Sequence, residues 1–318
     1  MSIEALLSSA DGSDRAVDLR DGTVDRIRDD ELLWVDVSGD EEEELQIVSD
    51  ALGLGGDLAE ALGGDLGETP DARVLSDGVE LTLLWFDEGD EKPAPMLVLA
   101  GSGWVITRHP QPLERLDQQR EKITDQREIG LLRPVEFVAA ILNWHLDAFF
   151  RTASAFEREV DRLDTDALAS DRDLLDRLVA IRQRIARARR VAAAHSGVYA
   201  EIARPDFLPE LEDADAALLV QLSERLERAT AAIANVREML IGTFDVYMTR
   251  VAQRTNDVMR LLTWVSVLLL PAVVIAGVMG MNFKVGFFDN PGYFFVVIGL
   301  MVALAAGTLV VARWRGWL

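Results

Sequence analysis

Apolar positions in this chain come first as short runs, then at spacings of three and four, and finally almost without interruption. Leu32, Leu33, Trp34, Val35, Asp36 and Val37 form a strand-like run. Residues 72–75, 79–86, 95–100 and 103–108 are rich in Val, Leu and Trp. They are separated by Asp77-Gly78, Glu88-Gly89-Asp90 and Gly101-Ser102, a pattern that predicts antiparallel strands joined by turns. Between the first strand and the rest, Glu41 to Glu44 precede Leu45, Ile47, Val48, Ala51 and Leu52, as at an acidic helix start with one apolar face. Gly53, Gly55 and Gly56 end that helix. Residues 1–30 are polar and predict one short strand and little else.

From residue 113 onward the pattern turns helical. Helices are predicted over 113–124, over 134–163 with Pro134 in the first turn, and over 174–194. Phe137, Ile141, Leu142, Trp144, Leu146 and Phe149 supply the apolar faces of the second, and Leu175, Leu178, Ile181, Ile185 and Val191 those of the third. Five arginines on the third, Arg182, Arg184, Arg187, Arg189 and Arg190, invite a nucleic-acid reading, but the acidic stretch 157–166 is expected to be their antiparallel partner instead. After Pro209 the next proline is Pro271, so one helix is predicted from about Asp213 to Met281, on the order of 100 Å long at 1.5 Å per residue. Leu219, Leu222, Leu226, Ala229, Ile233, Val236, Leu240 and Phe244 recur along it as a packing seam.

Residues 261–280 then run apolar with no ionisable side chain, and residues 293–311 form a second such run. A bilayer core of about 30 Å takes roughly 20 helical residues, so each run is long enough to span it. The short segment 283–291 turns the chain back as a hairpin. Arg250, Arg254 and Arg260 precede the first run and Arg313 and Arg315 follow the second, while Lys284 and Asp289 lie between. This bias puts both termini on the cytoplasmic side.

Gly280-Met281-Asn282 stands at the outer end of the first run. With Thr255-Asn256-Asp257-Val258-Met259-Arg260, Pro271, Ile275-Ala276-Gly277 and the terminal Trp317-Leu318, it resembles the CorA family of divalent-cation channels. The resemblance is close over 244–318 and general elsewhere. It implies a homopentamer with a central pore lined by the first span: Asn256, Met259, Leu262, Thr263, Ser266, Leu270, Val273 and Gly277. It implies a metal-facing mouth at Gly280, Met281 and Asn282, with Asp289 the one acid of the loop. It also implies regulatory Mg²⁺ between cytoplasmic domains. Asp87, Glu88, Asp90, Asp213 and Asp215 are the candidate ligands.

Chemistry supports that picture. Mg²⁺ dehydrates reluctantly and usually keeps several waters. Neutral oxygens such as those of Asn256 and Ser266 suit a hydrated ion, while rings of Met259 and Leu270 suit gating by dewetting. The chain has no cysteine and 3 histidines, His109, His145 and His195, which form no ligand pattern. No phosphate-binding loop, catalytic constellation or organic cofactor motif is present, so an enzyme is not indicated, and no signal peptide is visible.

The net charge of −22 is uneven. Residues 1–100 hold 27 acids against 6 bases, or −21, which excludes a general nucleic-acid binder and concentrates cations. Solubility or life at high salt explains the same acidity.

The expected architecture is α+β: a cytoplasmic α/β domain over 1–130, a helical stalk over 131–260 and a transmembrane hairpin over 261–318. The expected function is transport of Mg²⁺, with Co²⁺ and Ni²⁺, across the cell membrane. A zinc transporter of the same superfamily, proton-coupled or not, is the second reading. A membrane-tethered sensor without transport is the third.

Overall fold

The computed structural model describes residues 2–9, 14–21, 24, 27, 28, 30–86, 92–113, 116, 118, 133–169, 173–208, 211–281 and 292–315. It divides into two compact units. One comprises Met1–Asp166 with Asp171–Phe244, the other Ala167–Ser170 with Asp245–Leu318.

The first unit is built on a seven-stranded sheet. In chain order the strands are β1 (Ser2–Ser9), β2 (Asp14–Val17), β3 (Glu31–Ser38), β4 (Asp71–Leu75), β5 (Gly78–Trp85), β6 (Ala94–Ala100) and β7 (Trp104–His109). Their order across the sheet is β2-β1-β3-β7-β6-β5-β4. All neighbours are antiparallel except β3 and β7, which pair in parallel from Leu33 opposite Trp104 to Ser38 opposite His109. The two strands of 2–17 correct the expectation of one strand in residues 1–30: Leu7 and Ala5 are buried and anchor β1 against β3.

Two helices, α1 (Glu42–Leu52) and α2 (Gly56–Gly63), follow β3. Gly53 ends α1 at φ 62°, with its N–H donated back to Asp50 and Ser49 carbonyls. That left-handed turn is accessible to glycine at little cost. Three glycines predicted only an ending here, yet Gly56 opens a second helix whose Leu58 and Leu62 are buried. Leu45, Val48, Leu58 and Leu62 pack on Leu33, Val35, Leu97, Leu99 and Ile106. On the other face of β3, the Trp34 ring meets Phe137 edge-on at 5.2 Å. Cover on both faces explains why β3 reads as an apolar run broken only at the buried Asp36 between Leu32 and Val37.

The helical part of this unit comprises α3 (Pro134–Ala169), α4 (Leu174–Ala194), α5 (Ser196–Ile202) and the start of α6 (Asp213–Met279). The helix predicted to stop at 163 continues to Ala169, since Leu163 and Ala167 are buried and hold its last turns. The α6 seam is buried from Leu219 to Leu240, and only Phe244, 41% exposed, falls outside it. Leu175 was placed on the apolar face of α4 but is exposed; Leu174, Ala188 and Ala192 are buried there instead. Arg225 on α6 reaches Asn143 and Asp147 on α3 and lies over the Phe150 ring at 5.5 Å.

Two histidines finish the sheet where β4 stops. β4 begins at Asp71 opposite Thr82, so Leu84 lies beyond its reach. The Leu84 N–H donates to His195 Nε2 at 2.9 Å, and His145 Nε2 lies 3.2 Å from the Leu84 carbonyl. The two rings are 4.5 Å apart and buried. Burial, with the neighbouring His195 adding to it, holds His145 well below the usual histidine range, and burial brings His195 down to about 4.

Candidate functional site

The second unit holds the remainder of α6 and α7 (Gly292–Trp314). Both helices are long and apolar enough to cross a membrane, and their apolar windows are not buried within the protein. Pro271 sits inside α6 without ending it. Its missing N–H removes one rung from the ladder, which membrane helices tolerate when neighbouring groups make up the loss.

Exposure along α6 is not uniform. Trp264, Leu268, Pro271, Ala272, Ile275 and Met279 are half-buried and share one face. On α7, Val297, Met301, Ala305 and Thr308 are half-buried and Ala312 is buried, also on one face. Two such stripes are the pattern of helices that shield one another, small residues allowing approach.

Asn256, Met259, Thr263, Ser266, Leu270, Val273 and Gly277 are all exposed. At about 100° per residue they fall within an arc of about 100°, roughly opposite the shielded stripe. Leu262, 58% exposed, lies at the border of that arc. The hydroxyls in the arc are anchored to their own helix. Thr263 Oγ1 donates to the Met259 carbonyl at 2.8 Å, and Ser266 Oγ donates to the Leu262 carbonyl at 2.9 Å. Thr255 donates in the same way to Val251. With its hydrogen used inward, each hydroxyl presents lone pairs outward. Water bound to a cation points its hydrogens outward too, so these oxygens are acceptors for a hydrated ion. No Asp, Glu, Lys or Arg lies between Leu261 and Gly280.

The helix closes at Gly280, whose N–H donates to the Ala276 carbonyl at 2.9 Å, and at Met281, whose N–H reaches Val278 at 3.3 Å. A methyl group on Gly280 would meet the Ala276 carbonyl oxygen at 3.4 Å, an ordinary contact, so packing among the described residues does not demand glycine there. Asn282 and Asp289 lie outside the described residues.

The acidic candidates of the first unit separate. Asp87, Glu88 and Asp90 lie outside the described residues. Asp215 is buried and paired with Arg133 at 2.7 Å, so its carboxylate is already engaged. Asp213 is exposed in the first turn of α6. Among the described residues no group of three or more His, Asp or Glu side chains is arranged to hold a metal ion. The His145–His195 pair, invisible to sequence spacing at 50 residues apart, is fully occupied by backbone and Tyr199 partners rather than open to a ligand.

A cobalt/magnesium transport protein CorA of Methanocaldococcus jannaschii is 24% identical over 301 residues, covering 90% of this chain and 92% of that protein. The protein of the same name in Thermotoga maritima is 23% identical over 53% of this chain and 48% of its own length. The solved structure of the M. jannaschii CorA magnesium transporter superposes with a TM-score of 0.83 at 20% identity, covering 100% of this chain and 99% of that one. Residues 29–313 match the family described as CorA-like Mg²⁺ transporter protein, and the chain belongs to that family.

Proposed function

We propose that this protein carries hydrated divalent cations, Mg²⁺ first and Co²⁺ and Ni²⁺ with it, through a pore lined by the 256–277 arc of α6. The observation that supports this reading best is the arc itself. It is exposed, uncharged and furnished with inward-anchored hydroxyls, on the face opposite the one α6 shields. One helix cannot enclose a pore, so the arc calls for copies arranged in a closed ring, a pentamer by family likeness. A stripped Mg²⁺ would need charged oxygens to replace its waters; an ion that keeps them needs only acceptors. Met259, Leu270 and Val273 then form apolar constrictions between the polar levels. Gly280, Met281 and Asn282 form the outer mouth with Asp289 in the loop, and Asn256 stands at the inner end.

We assign both ends of the hairpin to the cytoplasmic side of a cell membrane, a reading supported by Arg250, Arg254, Arg260, Arg313 and Arg315 at those ends. We assign Asp213, with the acids of 87–90, to a regulatory Mg²⁺ site that biases the ring toward a closed arrangement, as differential binding to two states requires.

Liposome flux tests the reading. Purified protein should pass Mg²⁺, and Co²⁺ and Ni²⁺ in competition with it, without need of a pH gradient, and native mass measurement should find a ring. Flux of Zn²⁺ alone driven by a pH gradient, or no flux of any metal from a well-folded oligomer, would overturn it.

A further inference from the structure

The arginines of α4 divide by what they face. Arg184 pairs with Glu159 at 2.7 Å and Arg177 with Asp166 at 2.8 Å, which ties α4 to α3. Arg182, Arg189 and Arg190 are exposed, and none has an acidic partner among the described residues. They line a groove between α4 and α6 with a volume of about 690 Å³. Arg237 joins them from α6, paired only with the adjacent Glu238 at 2.8 Å. Among the described residues no acidic side chain lines the groove.

Its apolar part is as specific as its charge. Leu178, Ile185 and Leu240 form the floor, while Val179, Ile241 and Phe244 are 46%, 41% and 41% exposed. Phe244 is also the one seam position of α6 that the fold leaves open. Three guanidinium groups without a carboxylate partner among the described residues, with Arg237 beside them, repel one another and draw anions, the more notably in a chain of net charge −22.

A groove of this volume falls within the usual range for small-molecule sites, about 300–1,000 Å³. The guanidinium fork matches phosphate oxygens in bidentate geometry. An acidic peptide spreads its charges at about 3.3 Å per residue or more, and a lipid headgroup commonly carries one phosphate. Four arginines around one groove suit a compact chain of phosphates better. The exposed Phe244 ring beside them offers a stacking surface to an aromatic base. We propose that this groove binds a nucleoside di- or triphosphate, its phosphates on Arg182, Arg189, Arg190 and Arg237 and its base against Phe244 and Ile241. The proposal is read by binding and does not depend on transport.

The test uses the full-length protein in detergent. ATP, ADP, AMP, adenosine and inorganic tripolyphosphate are titrated by calorimetry, with displacement of a fluorescent ATP analogue as a second readout. Affinity should rise from adenosine to AMP, ADP and ATP, and should fall as salt is added. The double variant Arg189→Ala/Arg190→Ala should weaken ATP by about tenfold or more, as the loss of charge-assisted hydrogen bonds implies. Phe244→Ala should weaken ATP and leave tripolyphosphate unchanged. All these residues are exposed, and an unchanged melting temperature will confirm that the variants fold.

Absence of ATP binding at millimolar concentration would overturn the proposal. So would equal affinity for ATP and tripolyphosphate with no effect of Phe244→Ala, which would mark a plain anion patch. Displacement of the analogue by vesicles of anionic lipid but not by ATP would assign the groove to a headgroup instead. A change of oligomeric mass in the arginine variant would assign it to contact between copies.

Discussion

Ser266 Oγ donates its hydrogen to the carbonyl of Leu262, four residues back at 2.9 Å, and Thr263 does the same to Met259. The bond fixes each hydroxyl rotor and turns its acceptor side away from the helix. A side chain anchored in this way offers an acceptor to the hydrogens of a water held by a cation.

Substitution of Ser266 therefore separates transport from folding. Ser266→Ala removes one outward acceptor from every subunit while the backbone ladder of α6 persists. A hydrogen bond lost on the way through, worth about 1 kcal/mol, slows passage about fivefold. Ser266→Thr, which keeps an anchored hydroxyl, should retain most of the flux. Stopped-flow Mg²⁺ uptake into liposomes reads both variants, and equal rates for the alanine variant and the parent would remove Ser266 from the ion's path.

Leu270 is 64% exposed and one helical turn from Ser266 on the same arc. A ring of leucines excludes water from a narrow passage, and an amide in its place wets it. Leu270→Asn should raise Mg²⁺ leak under conditions that hold the parent closed, several-fold in fluorescent-indicator assays. A leak no greater than that of Leu269→Asn, off the arc, would count against a gate at this level.

How much of this was legible beforehand depends on the kind of signal. The two apolar runs could be read directly, because a span is defined by length and composition. The α6 seam could be read from Leu219 to Leu240, since one face of one helix repeats locally. The pairing of β3 with β7 in parallel could not, because their paired residues, such as Leu33 and Trp104, are far apart in sequence and both strands read as largely apolar. Nor could the role of Leu84, whose backbone is served by His145 from α3 and His195 from the turn between α4 and α5. The arginines of α4 were legible as a charge run. Their division into paired and unpaired faces needed the position of α3, since Glu159 takes Arg184 while Arg182 points elsewhere.

Among the described residues Gly280 has room for a methyl group, with the Ala276 carbonyl oxygen at 3.4 Å. The proposed mouth then assigns any requirement for glycine there to the ion or a neighbouring copy. Gly280→Ala should leave expression, helicity and melting temperature unchanged and still reduce Mg²⁺ flux strongly. Loss of folded protein would show instead that the residue is structural.

Arg225 holds α6 to α3 through Asn143, Asp147 and the face of Phe150. Its side chain is about one-third exposed, at 31%, so solvent screens part of the charge. Arg225→Ala should cost about 1–3 kcal/mol through lost bonds and lost packing together. Arg225→Lys should recover little, because a point charge cannot serve both partners. Thermal unfolding followed by tryptophan fluorescence will measure it; a melting temperature within a degree or so of the parent would show that the clamp is superficial.

The histidine pair makes the first unit sensitive to acid. His195 Nδ1 donates to the Val191 carbonyl at 2.7 Å and Nε2 accepts the Leu84 N–H, so the neutral ring uses both nitrogens. A proton on Nε2 would break the Leu84 bond and place a charge 4.5 Å from the His145 ring in a dry site. Unfolded histidines titrate near 6.5, whereas burial holds His195 at about 4 and His145 well below the usual range. Between those values the unfolded chain binds protons that the folded one refuses. Stability from this pair is therefore complete above about pH 6.5, falls as pH drops below it, and stops falling for His195 once the pH passes about 4. The slope approaches about 1.4 kcal/mol per pH unit for each histidine. His195→Gln offers an amide oxygen to the Leu84 N–H without the titration. That variant should start less stable at pH 7.5 and lose less than the parent between pH 6.5 and 4.5. Melting curves across that range decide the matter, and parallel losses in parent and variant would show that other groups drive acid unfolding.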